Sequence, residues 1–314
     1  MSRTETEIAT QPECWRHAVE LAGRTDGPAR TGMPRPGERV AVLGCGTSWF
    51  MGHAYAVLRE IAGQGETDAF PASEVPPGRS YDRVVVLSRS GTTTEVLDAV
   101  RRLRGMTPCV AITADPASPL AALADVAVVL DFADEDSVVQ TRFATTELVL
   151  LRALLGEDLG HLAGQAAQAL YEPLPVPGPL SEGQGGAGAL HGLLAAEQFT
   201  FLGRGWAYGI AQEAALKMRE AACAWTEAYP AMEYRHGPIS ITGPGRVVWW
   251  FGDRAALPAG LADDIARTGG RLIALGRDPL ADLIVVHRLA VALAAARDLD
   301  PDRPRHLTRS VILA

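Results

Sequence analysis

Apolar positions along this chain follow two alternating registers. Short runs that stay apolar throughout, Arg39-Val40-Ala41-Val42-Leu43, 83–88, Cys109–Thr113 and Val126–Leu130, predict strands buried on both faces. Between them, apolar residues recur at helical spacing over 13–22, 48–62, 94–104, 118–124 and 141–156, with a further short strand near Asp68 to Ser73. Strand, helix and strand in turn predict an α/β fold with a doubly wound parallel sheet covered by helices on both faces. The alternation resumes further on: strand Gln198–Leu202, helix 207–223, strand Val247–Phe251, helix 258–268, strands Leu272–Leu275 and Ile284–Val286, and helix 288–297. Both halves run strand, Gly-x-Gly, long helix, so the chain reads as two tandem copies of one fold. The expected division is a first domain over 1–170, a connector over 171–189, a second domain over 190–297 and a tail over 298–314 that lies across the site. The connector is rich in glycine and carries Pro173, Pro175, Pro177 and Pro179, the composition of an extended surface segment.

Candidate chemistry gathers where strands hand over to helices. Ser88-Arg89-Ser90-Gly91-Thr92-Thr93 follows Val84-Val85-Val86-Leu87 and precedes a helical pattern at Val96, Leu97, Val100 and Leu103. A helix start leaves backbone N–H groups unpaired and partly positive. Hydroxyls there cap the helix or donate to an oxyanion, and glycine lets the backbone come close. The alternatives are therefore an ordinary cap and a small phosphate cradle. Gly44-Cys45-Gly46-Thr47-Ser48 closes the first strand in the same way, but Trp49 stands where a dinucleotide fingerprint needs its third glycine, so nicotinamide and flavin binding are excluded. Ligands of open α/β sheets collect at the carboxyl ends of strands, where both loops lie. In the second half, Glu213, Lys217 and Glu220 share one helix face. They form either a solvated stripe or, given small and apolar neighbours from Ala214 to Ala222, a partly buried trio suited to proton transfer. Glu233-Tyr234-Arg235-His236-Gly237-Pro238 sets an imidazole at a tight turn, structural or functional, and Arg303 to Arg309 brings cations to the tail.

Composition narrows the classes. The 314 residues are 47% hydrophobic with a net charge of −8, which makes a nucleic-acid partner or an anionic membrane surface a poor fit. No uninterrupted apolar run approaches the roughly 20 residues of a membrane span, and Met1 to Gln11 is too polar for a signal peptide. Cys14, Cys45, Cys109 and Cys223 are scattered, which suggests neither a metal site nor disulfides and fits a reducing cytoplasm. Cys45 reads as a small buried hydrophobe, with a reactive thiolate as the alternative. No metal or organic cofactor is expected.

Taken together and in order, these motifs resemble the double sugar-isomerase-domain (SIS) family, within it the isomerase half of glucosamine-6-phosphate synthases and the stand-alone deaminases and deglycases. The likeness runs through Glu7-Ile8 with Gln11-Pro12, the 44–48 loop, the 88–93 loop, Gln140-Thr141-Arg142 with Thr145-Thr146, the stretch from Phe201-Leu202-Gly203-Arg204-Gly205 to His236-Gly237-Pro238, and Asp300 to Arg305. It implies flavodoxin-like domains and a homodimer with shared sites. It implies a sugar phosphate held by Thr47, Ser48, Ser88, Arg89, Ser90 and Thr93, with Gln140 and Arg309 at the substrate. It assigns proton transfer between C1 and C2 to Glu220, ring opening to His236 of a neighbouring subunit and a supporting cation to Lys217. Three departures matter. No cysteine follows Met1 and only 38 residues precede Arg39, so glutamine-dependent amination is not expected of this chain, nor is a DNA-binding helix-turn-helix ahead of the domain. Arg309 stands where the family's imine-forming lysine would, and a guanidinium stays protonated. Arg89 and Gln140 replace a glutamine and a serine. The resulting expectation is an enzyme that deaminates or deglycates an aminosugar or ketosamine phosphate, with aldose–ketose isomerisation or non-catalytic sensing of a sugar phosphate as alternatives.

Overall fold

The computed structural model describes residues 2–174 and 192–313. Two compact units emerge. The first comprises Thr10–Ala163 with His306–Ala314, and the second Met1–Ala9 with Gly164–Arg305. The sequence assigns residues 1–170 to the first sheet, whereas contacts group the opening helix α1 (Arg3–Ala9) and most of α8 (Leu162–Tyr171) with the second. Asp302 explains the first of these: its carboxylate accepts the Arg3 and Thr4 N–H groups and the Thr4 hydroxyl at 2.7–2.9 Å, closing the start of α1. The expected connector lies outside the described residues from 175 onward.

The first unit is a five-stranded parallel sheet in the order β2-β1-β3-β4-β5. Its strands are β1 (Val40–Gly44), β2 (Thr67–Pro71), β3 (Arg83–Leu87), β4 (Cys109–Thr113) and β5 (Val126–Val129). β1 and β4 are buried at every position, the signature of a strand covered on both faces. Helices α2 (Gln11–Ala22), α3 (Pro28–Thr31), α4 (Thr47–Ile61), α5 (Thr94–Leu103), α6 (Pro119–Leu123) and α7 (Arg142–Leu154) complete the unit. Most element boundaries fall within a residue or two of those read from the apolar pattern.

The second unit repeats the plan with one strand fewer, in the order β7-β6-β8-β9. Here β6 is Gln198–Gly203, β7 Thr226–Pro230, β8 Arg246–Phe251 and β9 Arg271–Ala274; the helices are α9 (Ala207–Ala222), α10 (Leu261–Arg267) and α11 (Pro279–Ala296). Trp249 and Trp250 on β8 are both buried and point to opposite faces, Trp250 into the core with Leu202 and Tyr234 and Trp249 beside Phe201 and Phe251. Burial of each such ring stabilises the unit by about 2–3 kcal/mol.

Two expectations need correction. Ile284–Val286 is no strand, and residues 279–296 form one helix. Asp278 caps it by accepting the Leu280 N–H at 2.9 Å, and Pro279 pre-sets its first turn. Its β-branched run sits at the centre of the unit, where burial on every side overrides strand propensity. By length and composition α11 is long and apolar enough to cross a membrane, but 72% of that stretch is buried inside the protein. The unforeseen strand is β7, a short edge strand ending at Pro230 whose pattern is half-buried and carries no alternation long enough to read.

The duplication shows in a shared joint. A Cβ at Gly44 would stand 2.6 Å from the Ser48 backbone, and one at Gly203 would collide with the Ala207 carbonyl, so in both units only glycine lets the first strand meet its helix. Gly203→Ala is expected to lower unfolding stability by roughly 1–3 kcal/mol in a urea titration, because the obstacle is backbone that no rotamer relieves.

Candidate active site

At the carboxyl ends of β1 and β3 the first unit forms a small polar cavity of about 30 Å³. Ser48, Ser88, Arg89, Ser90, Thr93, Gln140 and Arg309 line it, with Cys45. Seven of the residues singled out in the sequence thus meet at one place. Thr47 is buried in the first turn of α4 but is not part of the lining.

The loop is not an ordinary cap. Thr93 occupies the N-cap position of α5 with extended backbone, yet its side chain makes no capping bond. Neither Thr93 nor Ser48 uses its hydroxyl in a hydrogen bond among the described residues. Ser90 accepts the Thr92 N–H and hydroxyl at 3.3 and 3.0 Å, and Ser88 accepts the Gly91 N–H at 3.3 Å. Gly91 has φ +61°, and a Cβ there would collide with Ser118, so the turn that aims these groups requires glycine. Free hydroxyls at a helix start suit an oxyanion. Cys45 is a half-buried thiol whose burial raises its pKa, the opposite of what a reactive thiolate needs.

Arg89 differs from expectation. Its guanidinium donates to the carbonyls of Ser137 at 2.8 Å and Arg309 at 3.2 Å and stands 4.0 Å from the Glu135 carboxylate, both side chains fully buried. It braces the loop against its neighbours, and its charge is balanced by Glu135. Arg309 likewise donates to the Glu135 carbonyl and to the Asp134 carboxylate. The tail continues over the loop: Ser310 and Thr92 hydroxyls meet at 2.9 Å, Val311 O accepts the Thr94 N–H at 3.1 Å, and the Leu313 N–H reaches Thr94 Oγ1 at 2.9 Å.

Glu135 was not visible as a site residue. Its carboxylate accepts the N–H groups of Thr141, Arg142 and Phe143 and the Thr141 hydroxyl at 2.6–3.2 Å, so it caps α7 from six residues upstream. Capping rules look for a residue adjacent to the helix, so a cap from this distance carries no local signal.

In the second unit, α9 carries the charge trio. Glu213 and Lys217 are buried, with Lys217 Nζ 3.5 Å from Glu213 and in a close ion pair with Glu220. Glu220 alone keeps some exposure, 19% of its side chain. The trio is therefore a partly buried cluster and not a solvated stripe. Beside it, His287 on α11 is fully buried; burial, aided by the Lys217 charge, pulls its imidazole down to about 3. His236 ends a 3-10 turn at Glu233–His236, exposed and without a hydrogen bond among the described residues. Among the described residues, no group of three or more His, Cys, Asp or Glu side chains is arranged to hold a metal ion.

Residues 35–155 match the SIS domain family. Over these residues the chain carries an SIS domain. It is 30% identical to a glutamine–fructose-6-phosphate aminotransferase [isomerizing] from Gloeobacter violaceus, over 97% of this chain and 58% of that protein, and 29% identical to one from Aeropyrum pernix, over 97% and 56%. The chain thus spans little more than half the length of these curated relatives. Among solved structures, the glucosamine-6-phosphate deaminase of Thermotoga maritima superimposes with a TM-score of 0.80 at 23% identity, covering 99% of this chain and 100% of that one. The C-terminal domain of a glucosamine-fructose-6-phosphate aminotransferase from Francisella tularensis gives 0.82 at 22%, covering 97% and 98%. The fold is that of two tandem SIS domains, each a flavodoxin-like doubly wound sheet.

Two stability measurements check this electrostatic picture. Glu135→Ala should cost about 3–5 kcal/mol, because Arg89 is left as a buried charge without its counter-ion, and the loss should shrink in an Arg89→Met background. For His287, the unfolded chain takes up a proton as pH falls below 6.5 and the folded protein does not until about 3. Stability should therefore fall with acidification through that window by about 1.4 kcal/mol per pH unit. The His287→Phe variant, compared by urea titration at each pH, should lack this component.

Proposed function

We propose that this SIS protein acts on a hexosamine phosphate, moving a proton from C2 to C1 of the open-chain sugar and releasing ammonia from the resulting imine by water. The observation that carries the reading is the Glu220–Lys217 pair: a carboxylate with partial access, fixed by a buried ammonium, is arranged for proton transfer between adjacent carbons. Ser48, Ser88, Ser90 and Thr93 take the phosphate, with Thr47 and Arg89 shaping the loops around them and Gln140 and Arg309 at its rim. Glu220 abstracts the C2 proton and returns it at C1, and Lys217 stabilises the oxygen charge that develops. His236 opens the ring, supplied by the second copy of a homodimer; its exposure and its lack of a hydrogen bond among the described residues favour that role.

The nitrogen question favours deamination over amination. A catalyst that adds nitrogen through a protein imine needs a lysine near the sugar, and the tail offers Arg309, whose guanidinium is engaged with Asp134 and Glu135. A substrate that already carries its amine needs no such imine. Of the similar proteins, the Thermotoga maritima one is named a glucosamine-6-phosphate deaminase, whereas the curated relatives are isomerizing aminotransferases.

Incubation with glucosamine-6-phosphate should yield equal amounts of ammonia and fructose-6-phosphate without added glutamine. Glu220→Gln should reduce kcat by about 10²–10⁴-fold with little change in KM. Interconversion of fructose-6-phosphate and glucose-6-phosphate without ammonia would make the protein an aldose–ketose isomerase. Tight sugar-phosphate binding with no turnover would make it a sensor. Mixing inactive Glu220→Gln and His236→Ala proteins should restore partial activity if sites are shared between copies.

A further inference from the structure

A larger cavity of about 500 Å³ opens in the first unit, at the opposite end of its sheet. It is bounded by the segment 29–36 ahead of β1, by Gln64 ahead of β2, by the last turns of α4 and by Leu154 and Leu155 at the end of α7. Because the strands are parallel, this is their amino end, whereas the Ser/Thr loops lie at the carboxyl end. The volume falls within the range of small-molecule sites and far exceeds that of a single inorganic ion.

Two features of the lining point to a ligand. The first is Tyr55. Its ring is 3% exposed, it lines the cavity, and its hydroxyl makes no hydrogen bond among the described residues. Buried phenols ordinarily find a partner, so this one is left for a group that enters the cavity. The second is charge. Arg59, one turn further along α4, is 1% exposed. Its guanidinium is held by uncharged oxygens only: Gly65 O, Thr67 Oγ1, Arg35 O and Gln64 O, at 2.6–3.1 Å. Arg30 and Arg35 stand exposed at the mouth, and neither guanidinium has an ion pair among the described residues. Of the acidic side chains nearby, Glu38 pairs with Arg83 at 2.8 Å and also accepts the Arg35 N–H at 2.9 Å, and Glu60 accepts the Thr67 N–H at 2.9 Å. Three arginines thus surround one cavity, and among the described residues none of their guanidinium groups is in an ion pair. Met33 and Leu154 give the same space an apolar wall.

We infer that this cavity binds a small phosphate ester, its dianion between Arg30 and Arg35, its ester oxygen accepting from Tyr55, and its apolar part against Met33 and Leu154. Guanidinium groups match the oxyanion geometry, and the apolar wall demands an organic body that inorganic phosphate lacks. The site is separate from the hydroxyl loops and does not depend on the reaction proposed for them. Helix α4 joins the two regions, with Thr47 and Ser48 in its first turn and Tyr55 and Arg59 further along.

Calorimetric titration of the full chain with phenyl phosphate tests the inference, with inorganic phosphate and phenol as controls. Phenyl phosphate should bind saturably, with a dissociation constant at least tenfold below that of either control. The Arg30→Ala/Arg35→Ala double variant should weaken it tenfold or more; both residues are exposed, so the core stays intact. Tyr55→Phe should weaken it several-fold, and Ser90→Ala/Thr93→Ala should leave it unchanged. Three results would overturn the inference: unaltered affinity in the arginine double variant, loss of binding in the Ser90→Ala/Thr93→Ala variant, or equal affinity for inorganic phosphate, which marks a surface anion patch only.

Discussion

A buried carboxylate holds the polar end of the first unit together. Glu135 accepts three backbone N–H groups at the start of α7 and stands against the Arg89 guanidinium, and its own carbonyl receives Arg309 from the tail. None of these groups would be stable alone at that depth. An unpaired buried arginine or an uncapped helix start in a dry interior each costs several times the net value of a surface ion pair. Their mutual satisfaction fixes the 88–93 loop from behind, so its hydroxyls face the small cavity instead of collapsing onto the helix they precede.

The second unit solves a related problem differently. Glu213 and Lys217 are buried one helical turn apart, and their charges offset each other within α9. His287, packed on the same face from α11, stays neutral because both burial and the nearby ammonium disfavour its protonated form. Lys217 is thereby left with one partner that has solvent access, Glu220. Of the three charged side chains, only Glu220 keeps access to solvent. The two units share a plan, visible in Gly44 and Gly203. One presents hydroxyls at its strand ends and the other an ion-paired helix, and the difference lies in side chains and not in topology.

Much of this was legible in the sequence. Apolar runs with no polar alternation announced β1, β3 and β4 because a strand covered on both faces admits no polar position. The hydroxyl loops were legible because glycine and Ser/Thr clusters at strand–helix junctions have few local alternatives, and the charge trio because i, i+3 and i+4 spacing defines one helix face.

What only the tertiary structure decided concerns environment and long-range pairing. Ile284-Val285-Val286 has the local preference of a strand, and a capped N-terminus with burial all round makes it helix. Arg89 carries a charge that by position alone belongs to a ligand, and a glutamate 46 residues away in the chain claims it. Tyr55 and Arg59 read as an unremarkable stretch of α4 until the fold sets them beside Arg30 and Arg35 around a common cavity. Sequence determines which residues prefer which local geometry, because that preference is a property of a few neighbouring bonds. Which charge is neutralised and which hydroxyl is left open depends on groups distant in the chain, and only packing brings those together.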